Sequence, residues 1–198
     1  MGGETACVDC QTGKSKPLKL QKGETIMPVK NPKELFVLLL SDARQGTERT
    51  TKILQEISQV AQDPEIKEAL EARAFVSDQV LAKLDQCFKL IGEQPAKLSG
   101  RLHDVFVEDF RRELAEIQSP VAKHLFVLAK ANHLNHLRIA EYVALVAAAD
   151  ISGNHGVGVL LESCLADKLA FVERTRRLIR NIVETKAAER VAERAAGR

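Results

Sequence analysis

The chain of 198 residues carries 29 basic and 27 acidic side chains, a formal net charge of +2, with 45% apolar residues. That is enough apolar material to bury one core, too much for a disordered chain, and too short a chain for two comfortable domains. The near-balance of charge provides no long-range field to draw the protein to nucleic acid or an anionic membrane, so neither is an expected partner.

A chain with no Trp and one Tyr, rich instead in Ala, Leu, Glu, Lys and Arg, favours helix over strand. No apolar run of about 18 residues is long enough to cross a bilayer. The opening MGGETACVDC also lacks the apolar stretch of a secretory signal, so a cytoplasmic location and reduced cysteines are expected.

Residues 1–30 form a separate basic arm: Gly2, Gly3, Gly13, Gly23, Pro17 and Pro28 break any periodicity, and Lys14, Lys16, Lys19 and Lys22 charge it. The arm holds Cys7-Val8-Asp9-Cys10, the spacing of a zinc half-site or a thiol pair, without the second pair or the strand-to-helix setting that would complete either. A bundle domain is expected over residues 31–186. Asn31-Pro32-Lys33-Glu34 reads as a cap, a first-turn proline and a returning glutamate, so the first long helix starts near residue 32 and runs to about Gln62.

Asp63-Pro64-Glu65 repeats that signal for a second helix, whose Ile66, Leu70, Val80, Leu84, Cys87, Phe88 and Ile91 recur at helical spacing until Gly92. After a loop containing Pro95, Leu102, Val105, Phe106, Phe110, Leu114 and Ile117 mark a shorter helix. Ser119 caps a third long helix over 120–149, and the turn at Asp150-Ile151-Ser152-Gly153-Asn154 leads to a fourth, from His155 towards Lys186. Residues 187–198 alternate Glu, Arg and Ala and read as a solvated helical tail. Four long helices with two short turns and one longer crossover predict an all-α four-helix bundle, the extra helix covering the join between two hairpins.

The apolar pattern weakens halfway along each long helix. The first is polar from Ser41 to Lys52; the second carries Arg73, Ser77, Asp78 and Gln79; the third Asn132, His133, Asn135, His136 and Arg138; the fourth Ser163, Cys164, Asp167 and Lys168. Such segments lie at one height across a bundle, and a buried polar layer must satisfy its own hydrogen bonds.

Three stretches of the sequence resemble the YciE/YciF-type ferritin-like proteins, small bacterial stress-associated bundles: Leu35-Phe36-Val37-Leu38-Leu39-Leu40-Ser41-Asp42, Leu84-Asp85-Gln86, and His136-Leu137-Arg138-Ile139-Ala140-Glu141-Tyr142. The resemblance covers residues 32–182 and implies a ferritin-like fold whose di-iron carboxylates fall here on Thr47, Asn135, Arg138, Ser163 and Ala166 and whose second-helix Glu-x-x-His falls on Phe75 and Asp78, with His136 retained. Independently of the resemblance, no Glu-x-x-His spacing occurs in the chain, although di-iron bundles place two ligands on one helix face with that pair. The expected middle is therefore a polar layer of Thr47, Asp78, Asn135, Arg138 and Ser163, with Arg138 opposite Asp78 in place of metal charge.

Weaker candidates for a rearranged iron or manganese site are Glu48, Asp78, His136 and Asp167, and Cys7 with Cys10 for zinc in the arm. No catalytic residue and no cofactor is expected. Cys87 and Cys164 read as small core residues, and the run Tyr142–Ala149, apolar around the whole helix, suggests cover by a second copy in a homodimer. The expected role is that of a non-catalytic structural or interaction protein in a stress setting, with the arm available to an unknown partner; a metal-dependent oxidase or storage protein is the alternative.

Overall fold

Caps written in the sequence start the long helices of the computed structural model, which describes residues 29–98 and 101–196. Asn31 accepts from the Glu34 amide at 2.9 Å, and the Glu34 carboxylate returns to the Asn31 side-chain amide at 2.9 Å and the Lys30 backbone N–H at 2.7 Å. Helix α1 then runs Pro32–Val60. Asp63 accepts from the Ile66 amide at 3.0 Å to open α2, Pro64–Ile91, which Gly92 ends in the left-handed conformation at φ 69°. Helix α3 spans Arg101–Glu116, and Ser119 caps α4, Pro120–Ile151. A tight turn with Gly153 at φ 73° leads into α5, His155–Ala196.

The expected order of elements is the observed one, with ends shifted by one or two residues except in α5. That helix continues without interruption through the charged tail, and its residues 187–196 are all exposed. Alternating Glu and Arg do not oppose helix, and Lys186 and Glu189 form an ion pair three residues apart along its surface.

The pairing makes a four-helix bundle in which α1 packs on α2 and α4, and α5 on α4 and α2. Lys33–Glu93 and Arg44–Asp85 set α1 and its hairpin partner antiparallel, and Arg174–Glu68 and Lys83–Asp167 do the same for α2 and α5. The long connection from α2 to α4 docks on α1 through Gln45, whose amide accepts from the Leu98 N–H at 2.9 Å and donates to the Leu98 carbonyl at 2.7 Å. Helix α3 then lies over the α1/α4 join. Arg49–Asp104 and Arg111–Glu56 hold it parallel to α1, and Phe106–His133, Lys130–Glu113 and the stacked Phe110–Phe126 rings hold it against α4.

The core is in two pieces. Phe36, Leu40, Leu84, Phe88, Leu145 and Leu161 belong to one apolar cluster, and Leu54, Ile57, Leu70, Leu128, Leu134 and Phe171 to the other. Each is under 7% exposed. Cys87 and Cys164 are buried free thiols in the first cluster, and burial pushes the Cys87 thiol up to about 12. Between the clusters lies the polar segment of every long helix. Among the described residues, no helix is long and apolar enough to cross a membrane.

Candidate functional site: a cation-filled middle layer

Arg73 of α2, Arg138 of α4 and Lys168 of α5 are 4%, 1% and 1% exposed, although Lys and Arg are among the residues least often fully buried. The helical period turns each towards the bundle axis, and Leu70 and Leu134, one turn away on the same faces of α2 and α4, are buried with them.

Arg73 donates to the Ser77 hydroxyl at 2.9 Å and to the Asn135 amide oxygen at 3.4 Å, and its guanidinium stands 5.6 Å from the centre of the Phe171 ring. Asn135 donates in turn to the Lys168 backbone carbonyl at 2.8 Å, tying α2, α4 and α5 together. The Lys168 ammonium sits 4.3 Å from the Tyr142 ring centre, a cation–π contact. Burial, and then the Arg73 charge, bring the Lys168 amine down to about 7.

Arg138 donates to Glu141 at 2.5 Å, and its guanidinium lies against α1 at Gly46. A Cβ on residue 46 would stand 1.6 Å from Arg138 Nη1, so only glycine leaves the guanidinium its place. The Glu141 carboxyl rises to about 7 because burial outweighs the stabilising Arg138 charge. Tyr142, fully buried, shares a 3.4 Å hydrogen bond with Thr47, whose hydroxyl also contacts the Ala43 carbonyl at 2.7 Å. His103 of α3, 6% exposed, is lowered to about 4 by burial and then by the nearby Arg138 and Arg49 charges. Several buried polar atoms have no hydrogen-bond partner here: Arg73 Nε, Arg138 Nε and Nη1, Thr50 Oγ1, His103 Nε2 and Glu141 Oε2.

Three of the residues expected in this layer are in it: Thr47, Asn135 and Arg138 are 2%, 4% and 1% exposed. Two are not. Asp78 is exposed on the outer side of α2 and does not face Arg138, whose carboxylate partner is Glu141 of its own helix. Ser163 is exposed and accepts from the Lys83 ammonium at 2.9 Å. The cause in both is rotation: one residue turns a helix by about 100°, so Ser77 faces inward instead of Asp78, and Cys164 and Lys168 instead of Ser163.

The candidate metal residues are dispersed as well. Glu48 pairs with Arg44 and Lys52 at the surface, Asp167 pairs with Lys83, and His136 is exposed with Nδ1 2.9 Å from the Asn132 carbonyl. Among the described residues, no three His, Cys, Asp or Glu side chains gather at metal-binding spacing. Cys7 and Cys10 lie outside the described residues. The layer does not fit the pair of iron ions that the resemblance implies, because it offers one carboxylate, Glu141, beside three protein cations.

A groove of about 410 Å³ on the outer face of α1, lined by Arg44, Arg49, Lys52 and Lys97, is a separate feature. Its arginines and Lys52 are already engaged with Asp85, Asp104 and Glu48.

Fold and layer together define a YciF-type helical bundle with its centre occupied by protein cations. The chain belongs to the family described as Domain of unknown function (DUF892), which it matches over residues 31–188. Among solved structures, the E. coli stress protein YciF superposes with a TM-score of 0.74 at 20% identity, over 79% of this chain and 99% of that one. YcfI of Rhodopseudomonas palustris, described as a candidate structural protein, gives 0.71 at 21% identity, over 75% and 94%. A protein from Xanthomonas campestris pv. campestris gives 0.60 at 22%, over 79% and 99%. No curated protein matches the sequence.

Proposed function

We propose that the chain is a ferritin-like bundle without catalytic or metal-storage activity, acting as a structural or interaction protein in the cytoplasm under stress. The observation that carries this reading is the burial of Arg73, Arg138 and Lys168 at the height where a di-iron bundle keeps its carboxylates. A cationic centre repels metal ions, and Glu141 is already bonded to Arg138. The one long crossover, between α2 and α4, supports the ferritin-like assignment. The description of the E. coli neighbour as a stress protein supports the setting.

The bundle functions as a homodimer in this reading. Val143 and Ile151 on α4 and Val159 on α5 are 55%, 75% and 66% exposed, large apolar side chains left outside the core by the run Tyr142–Ala149 and the turn that follows it. Residues 1–30 serve as an arm that reaches a partner, with zinc at Cys7 and Cys10 as the metal it could hold.

The experiment is elemental analysis of the untagged protein purified without chelator, alongside a form lacking residues 1–30, with the melting temperature of each measured with and without EDTA. The expected result is no iron or manganese in either form and no shift with chelator. Stoichiometric iron or manganese in both forms would overturn the proposal in favour of an oxidase or storage protein. Monomer mass by light scattering across micromolar concentrations would remove the dimer.

A further inference from the structure

The middle layer has more positive charge than the protein balances. Arg73 is held by neutral groups only, the Ser77 hydroxyl, the Asn135 amide oxygen and the Phe171 ring. Arg138 has one carboxylate partner, Glu141. A guanidinium keeps its proton in a protein, so two fixed positive charges share one directly bonded carboxylate; Asp167, which also acts on Arg73, is paired with Lys83 at the layer's edge, and Lys168 adds a third positive charge whenever it is protonated. Buried charge without a counter-charge is costly by several kcal/mol per ion, on the order of what a whole core residue contributes.

Hydrogen-bonding capacity is left over in the same layer. Arg73 Nε, Arg138 Nε and Nη1, and Thr50 Oγ1 are buried donors without a partner. Arg138 is 1% exposed and Arg73 4%, so bulk water does not reach them freely. Ordered water could take up the hydrogen bonds. It would leave the charge.

We infer that the layer binds a small inorganic monoanion of the halide class, which accepts from the free N–H groups of Arg138 and Arg73 and supplies the missing negative charge. The inference rests on the reading of the layer as filled by protein cations instead of metal. The ion takes the place, with sign reversed, that a metal would take among carboxylates. Its role is to hold four helices at one height by satisfying groups that the helices cannot satisfy for one another.

The test is thermal unfolding of the full chain in sodium chloride or bromide from zero to 200 mM (roughly the range over which a weak site saturates), at constant ionic strength made up with sodium gluconate. The expected result is a saturating rise in melting temperature of about 3 °C or more, lost in Arg138→Gln. Arg73→Lys serves as a second variant that keeps the charge and removes the unpartnered Nε–H, and it should weaken the halide effect without abolishing folding. Crystals grown with bromide should show an anomalous peak within hydrogen-bond distance of Arg138 or Arg73. A linear response equal in wild type and Arg73→Lys, or bromide at surface sites only, would overturn the inference. Metal found by elemental analysis would instead strike the functional proposal, so the two failures are distinguishable.

Discussion

Leu40 and Leu84 in one apolar cluster, and Leu54 and Leu70 in the other, are each no more than 2% exposed and lie among apolar neighbours. Arg138 and Lys168, between the clusters, are as deeply buried, yet one reaches a single carboxylate and the other an aromatic face. Equal burial thus has opposite energetic meaning in the two regions. In the clusters it removes apolar surface from water and stabilises the fold. In the layer it strips water from charge, and what the layer contributes is a specific arrangement of helices more than stability, as buried polar groups do in some proteins.

Truncation in the clusters gives the largest expected effect. Leu54→Ala and Leu84→Ala should each cost about 2–5 kcal/mol, measured by urea unfolding. Similar losses from both would establish that the two clusters carry the stability together, and a loss under about 1 kcal/mol from either would break the comparison.

Replacing a layer cation should act in the other direction. Lys168→Met is expected to be neutral or to stabilise by about 1–4 kcal/mol at pH 7, as apolar replacement of buried charge often does. The pH dependence gives a sharper reading. The Lys168 amine is lowered from 10.5 to about 7 in the folded chain, so between those values the unfolded chain holds the extra proton. Stability therefore rises with pH across that window. Glu141, raised from 4.5 to about 7, does the reverse, and stability falls as pH rises from 4.5 to 7. Unfolding curves at pH 7 and 10 should show a gain in wild type that Lys168→Met lacks; equal slopes would mean that Lys168 keeps its charge when buried.

Gly46→Ala separates helix propensity from layer geometry. Alanine favours helix by about 1 kcal/mol over glycine, but its Cβ would collide with Arg138 Nη1. The expected net is a loss of about 1–3 kcal/mol that disappears in an Arg138→Met background, read as coupling in a double-mutant cycle. The smallest effect is expected at the surface: Asp78→Ala and Ser163→Ala should each stay within about 0.5 kcal/mol. A larger loss at Asp78 would restore it to the layer.

Much of the fold was legible because its signals are local. Asn31, Asp63 and Ser119 each cap the helix that follows, and Gly92 ends one, through bonds that reach only a few residues along the chain. The polar interruption in each long helix was legible too, since it is a break in a short period. The site was less so. Asp78 and Ser163 stand one residue from Ser77 and Cys164, and a sequence pattern does not resolve which of two adjacent polar positions faces the axis. His103 carried no signal, because it lies on a crossover helix whose place over α1 and α4 is a matter of docking.

The sequence by itself determined an all-helical chain, where the helices begin, and that their middles are polar, because caps, propensity and periodicity act over one or two turns. Only the tertiary structure decided that Arg73, Arg138 and Lys168 meet in the interior and that Gly46 makes room for one of them. Those facts depend on the rotation and height of four helices relative to one another, which packing fixes through contacts between residues far apart in the chain.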